Sequence, residues 1–283
     1  MASSPSARPS IVIPAHNEGS VIDRCLETLA MGVEPGWAEI VVVCNACTDD
    51  TADRARRYDG VNVVETPEGG KVGALNLGDT HAEGFPRAYV DADVVVTGSD
   101  LAQVFGAMTG EVKAAAPGLE VNVDAATWPV KAWYQIWTRL PYVTDEMVGC
   151  GIFCLTEAGH ERVSPFPEVL ADDEHVRLSF TPGERRSVSG TTFRITPPQD
   201  LATLIRVEAR RRSGNRQIRS EAVLDTSSVD GAQKQAVASL AKEPKNWLHL
   251  AMFGVIKIAV SATVRMRGLR GTEAVWTRDL SSR

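Results

Sequence analysis

The first ten residues, Met1 to Ser10, contain no apolar core, which excludes a secretory signal peptide there and leaves a cytoplasmic location as the expectation. Cysteine is sparse and odd in number, five in 283 residues. Free, mostly buried thiols in a reducing compartment are therefore expected. The weaker alternative is a four-thiolate zinc site on Cys44-x-x-Cys47 and Cys150-x-x-x-Cys154, but the first pair straddles a strand end and the second sits in an apolar run. There is no basic surplus either, the net charge being −6. Up to Ile205 the chain holds 15 Lys+Arg against 29 Asp+Glu, a balance of −14, which argues against a nucleic-acid partner. From Arg206 onward the counts are 15 against 7, a balance of +8 suited to anionic lipid, a phosphorylated substrate or the acidic body itself. A phosphate loop is missing too. Gly70-Lys71 has Glu65 where the earlier glycine is needed, and Val72 follows the lysine. Lys71 remains either a point charge for a diphosphate or an exposed helix-start lysine.

What is present begins as strand and helix in alternation. Ile11-Val12-Ile13 is a β-branched strand stopped by Pro14 and followed by the polar turn Ala15-His16-Asn17-Glu18-Gly19-Ser20. Val21, Ile22, Cys25, Leu26 and Leu29 then share a helical face. A second strand over Glu39 to Cys44 ends in Asn45-Ala46-Cys47-Thr48-Asp49-Asp50-Thr51, where Thr48 or Asp49 suits a helix N-cap. Strand three is Val61 to Glu65, and a helix follows from Val72 to about Asp79. Continuous apolar strands separated by helices predict a parallel sheet covered on both faces, with ligands at the carboxyl ends of the strands. The polar endings at His16, Asn45, Glu68 to Lys71, and Asp91 with Asp93 all fall on that edge.

Asp91 and Asp93 stand one residue apart in Tyr89-Val90-Asp91-Ala92-Asp93-Val94-Val95-Val96, and an extended backbone would put them on one face. Two like charges there repel, which points to a hard divalent cation; an Asp-rich strand end capping a turn is the bland alternative. Asp172-Asp173-Glu174 is either a charged helix start or the source of a general base. Trp128, Trp133, Tyr134, Trp137 and Tyr142 gather in one stretch, as core or as a sugar-stacking wall beside an acceptor. Arg206, Arg210, Arg211, Arg212, Arg216 and Arg219 form a solvated helix face or a diphosphate-binding cluster. Trp247 to Val264 is apolar but broken by His249 and Lys257, marginal for a membrane span and suited to a membrane surface, a buried position or a homodimer.

In order and spacing, Ile11-Val12-Ile13-Pro14-Ala15-His16-Asn17-Glu18, Asn45 to Thr51, Lys71-Val72-Gly73-Ala74-Leu75-Asn76, Asp91-Ala92-Asp93 and Asp172-Asp173 resemble family 2 of the inverting nucleotide-sugar glycosyltransferases. The tail Trp276 to Arg283, with its apolar helix upstream, is similar to bacterial polysaccharide-type members. The resemblance implies an α/β GT-A fold: a Rossmann-like, mostly parallel central sheet flanked by helices, with a helical C-terminal extension. Residues 1–10 would form a disordered N-terminus and 11–205 the catalytic domain, its half 11–100 serving the nucleotide-sugar and 101–205 the acceptor. Residues 206–283 would be the basic extension. It also implies that Pro14, Ala15, His16, Glu18, Asn45, Lys71, Asp91, Ala92 and Asp172 bind substrate. Asp93, with Asp91, would hold Mg2+ or Mn2+, and Asp173 would be the catalytic base acting on a saccharide, lipid-linked or small-molecule hydroxyl. Asn45 stands where many members carry an Asp, which leaves the nucleotide base open. The Gln-x-x-Arg-Trp motif of processive synthases is missing, so one transfer per binding event is expected. Two other readings compete: a haloacid-dehalogenase-type phosphatase, whose nucleophile strand Asp91-x-Asp93-x-Val95 resembles, and a non-catalytic nucleotide-sugar binder.

Overall fold

The computed structural model describes residues 8–144, 150–167, 172–221 and 227–269. The N-terminal half alternates as the apolar pattern requires: β1 (Ser10–Ala15), α1 (Ile22–Leu29), β2 (Glu39–Asn45), α2 (Thr51–Ala55), β3 (Val61–Thr66), α3 (Lys71–Asp79) and β4 (Arg87–Val90). Then come β5 (Val95–Val96), α4 (Gly98–Ala107), β6 (Ala114–Val121), α5 (Trp128–Trp137), α6 (Pro141–Thr144), β7 (Ile152–Leu155), α7 (Glu157–Val163), α8 (Asp172–Leu178) and β8 (Arg185–Ile195). Only helices follow among the described residues: α9 (Leu201–Glu221), α10 (Ser227–Ala241) and α11 (Trp247–Leu269), the last preceded by a short 3-10 turn. The change of charge at 205/206 falls inside α9, so it marks a change of composition and no break in the backbone.

One eight-stranded sheet runs β3-β2-β1-β4-β7-β6-β8-β5. Its first four strands are parallel, and Ile11, Val12 and Ile13 of β1 with Val41, Val42 and Val43 of β2 are buried on both faces. Beyond β4 the sheet is mixed, because β7 runs antiparallel to both β4 and β6. The period of two divides β1 between two cores. Ile11, Ile13 and Ala15 join a cluster with α1, α4 and α5, whereas Val12 joins Val72, Leu75, Phe153 and Phe166 on the opposite face.

Two expectations change here. Pro14 lies inside β1, opposite Val43 of β2. Pairing with β4 ends at Val12, so past that point one side of β1 has no ladder to satisfy and the missing N–H is tolerated. The strand around Asp91 is broken as well. β4 stops at Val90, and Asp91-Ala92-Asp93 is a turn closed by the Val94 N–H donating to the Asp91 carbonyl at 3.0 Å. β5 then crosses to the far edge and pairs with β8.

The described part of 1–10 is 8–10, where Ser10 opens β1; the tail Trp276 to Arg283 lies outside the described residues. Cys44 on β2 and Cys154 on β7 are separated by two intervening strands, about 14 Å at the usual spacing, so these thiols do not meet at one zinc site.

Candidate active site

The carboxyl ends of β1, β2 and β4 meet at one edge, and side-chain hydrogen bonds lace their loops together. Asn17 adopts a left-handed conformation (φ 56°), and its Oδ1 accepts from the backbone N–H groups of Thr48 at 2.7 Å and Asp49 at 3.2 Å. The Glu18 N–H donates to Thr51 Oγ1 at 2.7 Å, and the Gly19 N–H to Asp49 Oδ2 at 3.1 Å. The N-cap of α2 is Asp50, one residue past the expected Thr48 or Asp49, and its side chain makes no capping bond; Asp49 Oδ1 instead accepts from the Thr51 N–H within the turn, and Thr48 is held by Asn17. Asn45 is buried; its Nδ2 donates to the Ala15 carbonyl at 2.9 Å and its Oδ1 accepts from the Gly70 N–H at 3.1 Å. That amide joins three loops from beneath. His16 stands above it, with Nδ1 2.7 Å from the Asn45 carbonyl, an arrangement that places the proton on Nδ1. Pro14 and Ala15 are buried backbone floor, and Glu18 is buried at the start of the turn into α1. Asn17, Cys47 and Thr51 do most of this bracing, Cys47 Sγ accepting from the Asn17 N–H at 3.3 Å; all three fall within the stretches that carry the resemblance, but the resemblance assigns them no role.

Asp91 and Asp93 flank a buried Ala92. The Asp91 N–H donates to the Gly151 carbonyl at 2.7 Å, which fixes the turn against β7. Lys71, at the first position of α3, places its Nζ 2.7 Å from one carboxylate oxygen of Asp91. Part of the compensation that two neighbouring carboxylates require is therefore supplied by this ammonium. The Cys25 thiol lies within electrostatic reach of Asp93, Asp91 and Glu18, and burial, with those charges second, pushes its pKa up to about 12. The Cys150 thiol, likewise pushed up to about 12 by burial, feels Asp173 and Asp91 together with Arg211 and Glu208.

Asp173 is half-buried in the first turn of α8 and accepts from the Glu174 N–H at 2.8 Å. Within the helix the Arg177 guanidinium pairs with Glu174 at 2.8 Å, and the Arg177 carbonyl accepts from Arg185 Nη1 at 2.6 Å, which ties the end of α8 to β8. The side chain of Asp172 lies outside the described residues. No three His, Cys, Asp or Glu side chains form a self-sufficient metal cage among the described residues. Two hard carboxylates without a third still fit a divalent cation that completes its shell with phosphate oxygens and water.

Trp133 and Trp137 are buried, and Trp133 stacks on Phe253 of α11 at 4.5 Å between centroids. Arg211 sits 5.3 Å over the Trp137 ring and Arg212 donates to Ser261 Oγ at 2.6 Å, so these two arginines join α9 to α5 and α11. The side chains of Arg216 and Arg219 lie outside the described residues.

A mixed eight-stranded sheet whose first four strands are parallel, with polar strand ends and a carboxylate-bearing turn after the fourth, is an α/β arrangement suited to binding a ligand at its carboxyl edge. The model of the glycosyl transferase family 2 matches residues 10–149, and that segment belongs to this family. The chain is 31% identical over 90 residues to glycosyltransferase AglE of Haloferax volcanii, a match covering 30% of each chain. Its fold is similar to that of the mannosyltransferase PcManGT from Pyrobaculum calidifontis, solved with GDP-Man and Mn2+ (TM-score 0.63, 20% identity, 95% of this chain and 88% of that one). It is also similar to S. aureus TarS 1-349, solved with UDP-GlcNAc (TM-score 0.57, 16% identity, 92% and 83%).

Proposed function

We propose that this chain moves a sugar from a nucleoside-diphosphate sugar to an acceptor hydroxyl, with inversion at the anomeric carbon and dependence on Mg2+ or Mn2+. The observation that carries the reading is the turn after β4: Asp91, held by Lys71 and by the Gly151 carbonyl, stands beside Asp93 at the edge where β1 and β2 end in the His16 and Asn45 loops. His16, Glu18 and the Asn45-braced loops fit the nucleoside, with Asn45 acting as a positioning residue. Asp91, Lys71 and the backbone at Ala92 fit the ribose and sugar side.

Asp93, with Asp91, would hold the cation, which when bound neutralises charge on the departing diphosphate. Asp173 takes the proton of the acceptor hydroxyl as its oxygen bonds to the anomeric carbon. The bond from that carbon to the diphosphate breaks, and the diphosphate leaves with the electron pair. The expected transition state has oxocarbenium character.

The test is nucleoside diphosphate release from UDP-, GDP- and dTDP-sugars with Mn2+ and an acceptor panel. Asp93→Ala and Asp173→Asn should each lower transfer by about 100-fold or more while the protein stays folded. Wild-type rates for both variants would refute the assignment. Phosphate release from an aryl phosphate, without any transfer, would favour the phosphatase instead.

A further inference from the structure

Asn76 stands at the sixth of nine positions in α3, where an asparagine weakens a helix relative to the alanine and leucine before it. Its side chain crosses to a segment 90 residues on. The Nδ2 donates to the Phe166 carbonyl at 3.0 Å, and the Oδ1 accepts from the Phe166 N–H at 2.8 Å. One amide thus serves both backbone groups of one residue, as a residue on a neighbouring strand would, and this orientation matches a donor to an acceptor at each end. Phe166 lies outside the helices and strands, so Asn76 supplies the pairing that a sheet would otherwise give. The Phe166 ring is fixed as well: it is buried, edge-on to Tyr89 at 5.1 Å between centroids and to Phe153 at 5.9 Å.

The clamp bears on two parts of the site. Seven positions after Phe166 comes Asp173, in the first turn of α8. Three residues further on, Val176 is fully buried in the same apolar cluster as Phe166 and as Val72 and Leu75 of α3. The entry to α8 is therefore seated on α3, while its far end is tied to β8 through Arg185. α3 also carries Lys71 at its first position, with its ammonium on Asp91. Five residues of helix, about 7.5 Å along the axis, separate the residue that holds the Asp91 turn from the one that holds the approach to Asp173.

We propose that Asn76 is a positioning residue for the transfer reaction: it clamps Phe166 so that α3 sets the separation between the Asp91–Asp93 turn and Asp173. It acts through the Phe166 backbone and the seat of Val176, and so keeps the Asp173 carboxylate within reach of the acceptor hydroxyl. The inference rests on the transferase reading, to which it adds a residue.

The first test needs no substrate. Hydrogen–deuterium exchange of the full chain should show α8 exchanging about fivefold faster or more in Asn76→Ala than in wild type, with β1 and β2 unchanged. Asn76→Asp, isosteric and still able to accept from the Phe166 N–H, covers the case of an unfolded alanine variant and should show the same pattern to a lesser degree. The second test follows turnover with the donor and acceptor that the diphosphate-release assay selects. Asn76→Ala should lower kcat by about tenfold or more and leave the donor KM within about twofold, because a displaced base costs the chemical step and not donor binding. In an Asp173→Asn background the same substitution should cost less than about twofold, since no base is left to position. Equal losses in both backgrounds would make Asn76 a packing residue and overturn the proposal. Unchanged exchange of α8 in both variants, or faster exchange throughout the sheet, would overturn it too. A wild-type protein that turns over no donor sinks the transferase reading itself, whereas wild-type turnover matched by the Asn76 variants sinks this inference alone.

Discussion

The ammonium of Lys71 stands 2.7 Å from one carboxylate oxygen of Asp91 and 2.9 Å from the other, so a residue at the start of α3 and one at the end of β4 are joined across the site edge. This pair sits where a divalent cation is expected, and the two positive charges compete for the same carboxylate. Replacing Lys71 by Met leaves Asp91 and Asp93 mutually repelling and should raise Mn2+ affinity in the absence of donor by about tenfold, roughly 1.4 kcal/mol. Mn2+ titration followed by electron paramagnetic resonance measures it. Weaker Mn2+ binding in Lys71→Met would show that the lysine does not compete with metal.

Gly151 is the second constraint on Asp91. Its φ of +83° lies in the left-handed region, and a Cβ there would come 2.9 Å from Asp91 Oδ2 and 3.0 Å from Val94 Cγ2. Gly151→Ala should therefore cost about 1–2 kcal/mol of stability and displace the carboxylate, lowering transfer more than tenfold. Thermal melts and the diphosphate-release assay report the two effects separately. A variant with wild-type activity would show that the position of Asp91 is not critical.

The legible parts of this molecule were those set by local pattern. The apolar runs at Ile11 and Val41 specify buried parallel strands and that at Val63 the half-buried edge strand beside them, and Trp133 and Trp137, four apart, share a helical face. The turn at Asp91-Ala92-Asp93 was not legible, because Val94 to Val96 continues the β-branched run and only the contact with Gly151, sixty residues on, decides that the strand ends. The bracing by Asn17, Asn45 and Thr51 was likewise hidden, since each bond links residues about 30 positions apart.

Cys47 offers a probe of the proposed nucleoside side. A hydrogen bond from Cys44 stabilises its thiolate, partial burial opposes this, and the Asn17 N–H at 3.3 Å adds support, drawing its pKa down to about 6. Cys44, as the donor, is pushed up, and Cys25 and Cys150 are raised to about 12 by burial. Iodoacetamide should label Cys47 first, with a rate rising through a midpoint near pH 6. A bound nucleotide-sugar should slow the labelling, because Cys47 lies against the Ala15 carbonyl. Even labelling of all five thiols, or a midpoint above pH 8, would contradict this environment.

Away from the site, Asp79 at the end of α3 ties the α3, β4 and α7 segments together. It accepts from Arg87 at 2.8 Å and Tyr89 at 2.6 Å, and pairs with His160 at 2.9 Å. Burial opposes its ionisation, but the hydrogen bonds from His160, Tyr89 and Arg87 outweigh it and hold the carboxyl below its ordinary 3.8. A depressed folded-state pKa gives stability that is complete above the unfolded value and is lost as pH falls through the folded one. Asp79→Asn leaves the buried Arg87 guanidinium without its counter-charge and should cost about 3 kcal/mol at pH 7. The gap from wild type should narrow once the pH drops below about 4, as Asp79 of the unfolded chain takes up a proton that the native carboxyl, held lower, resists. Urea denaturation of both proteins at pH 7, 5 and 3 checks this, and a gap that stays constant across that range would show that the network's stability does not come from the ionised carboxylate.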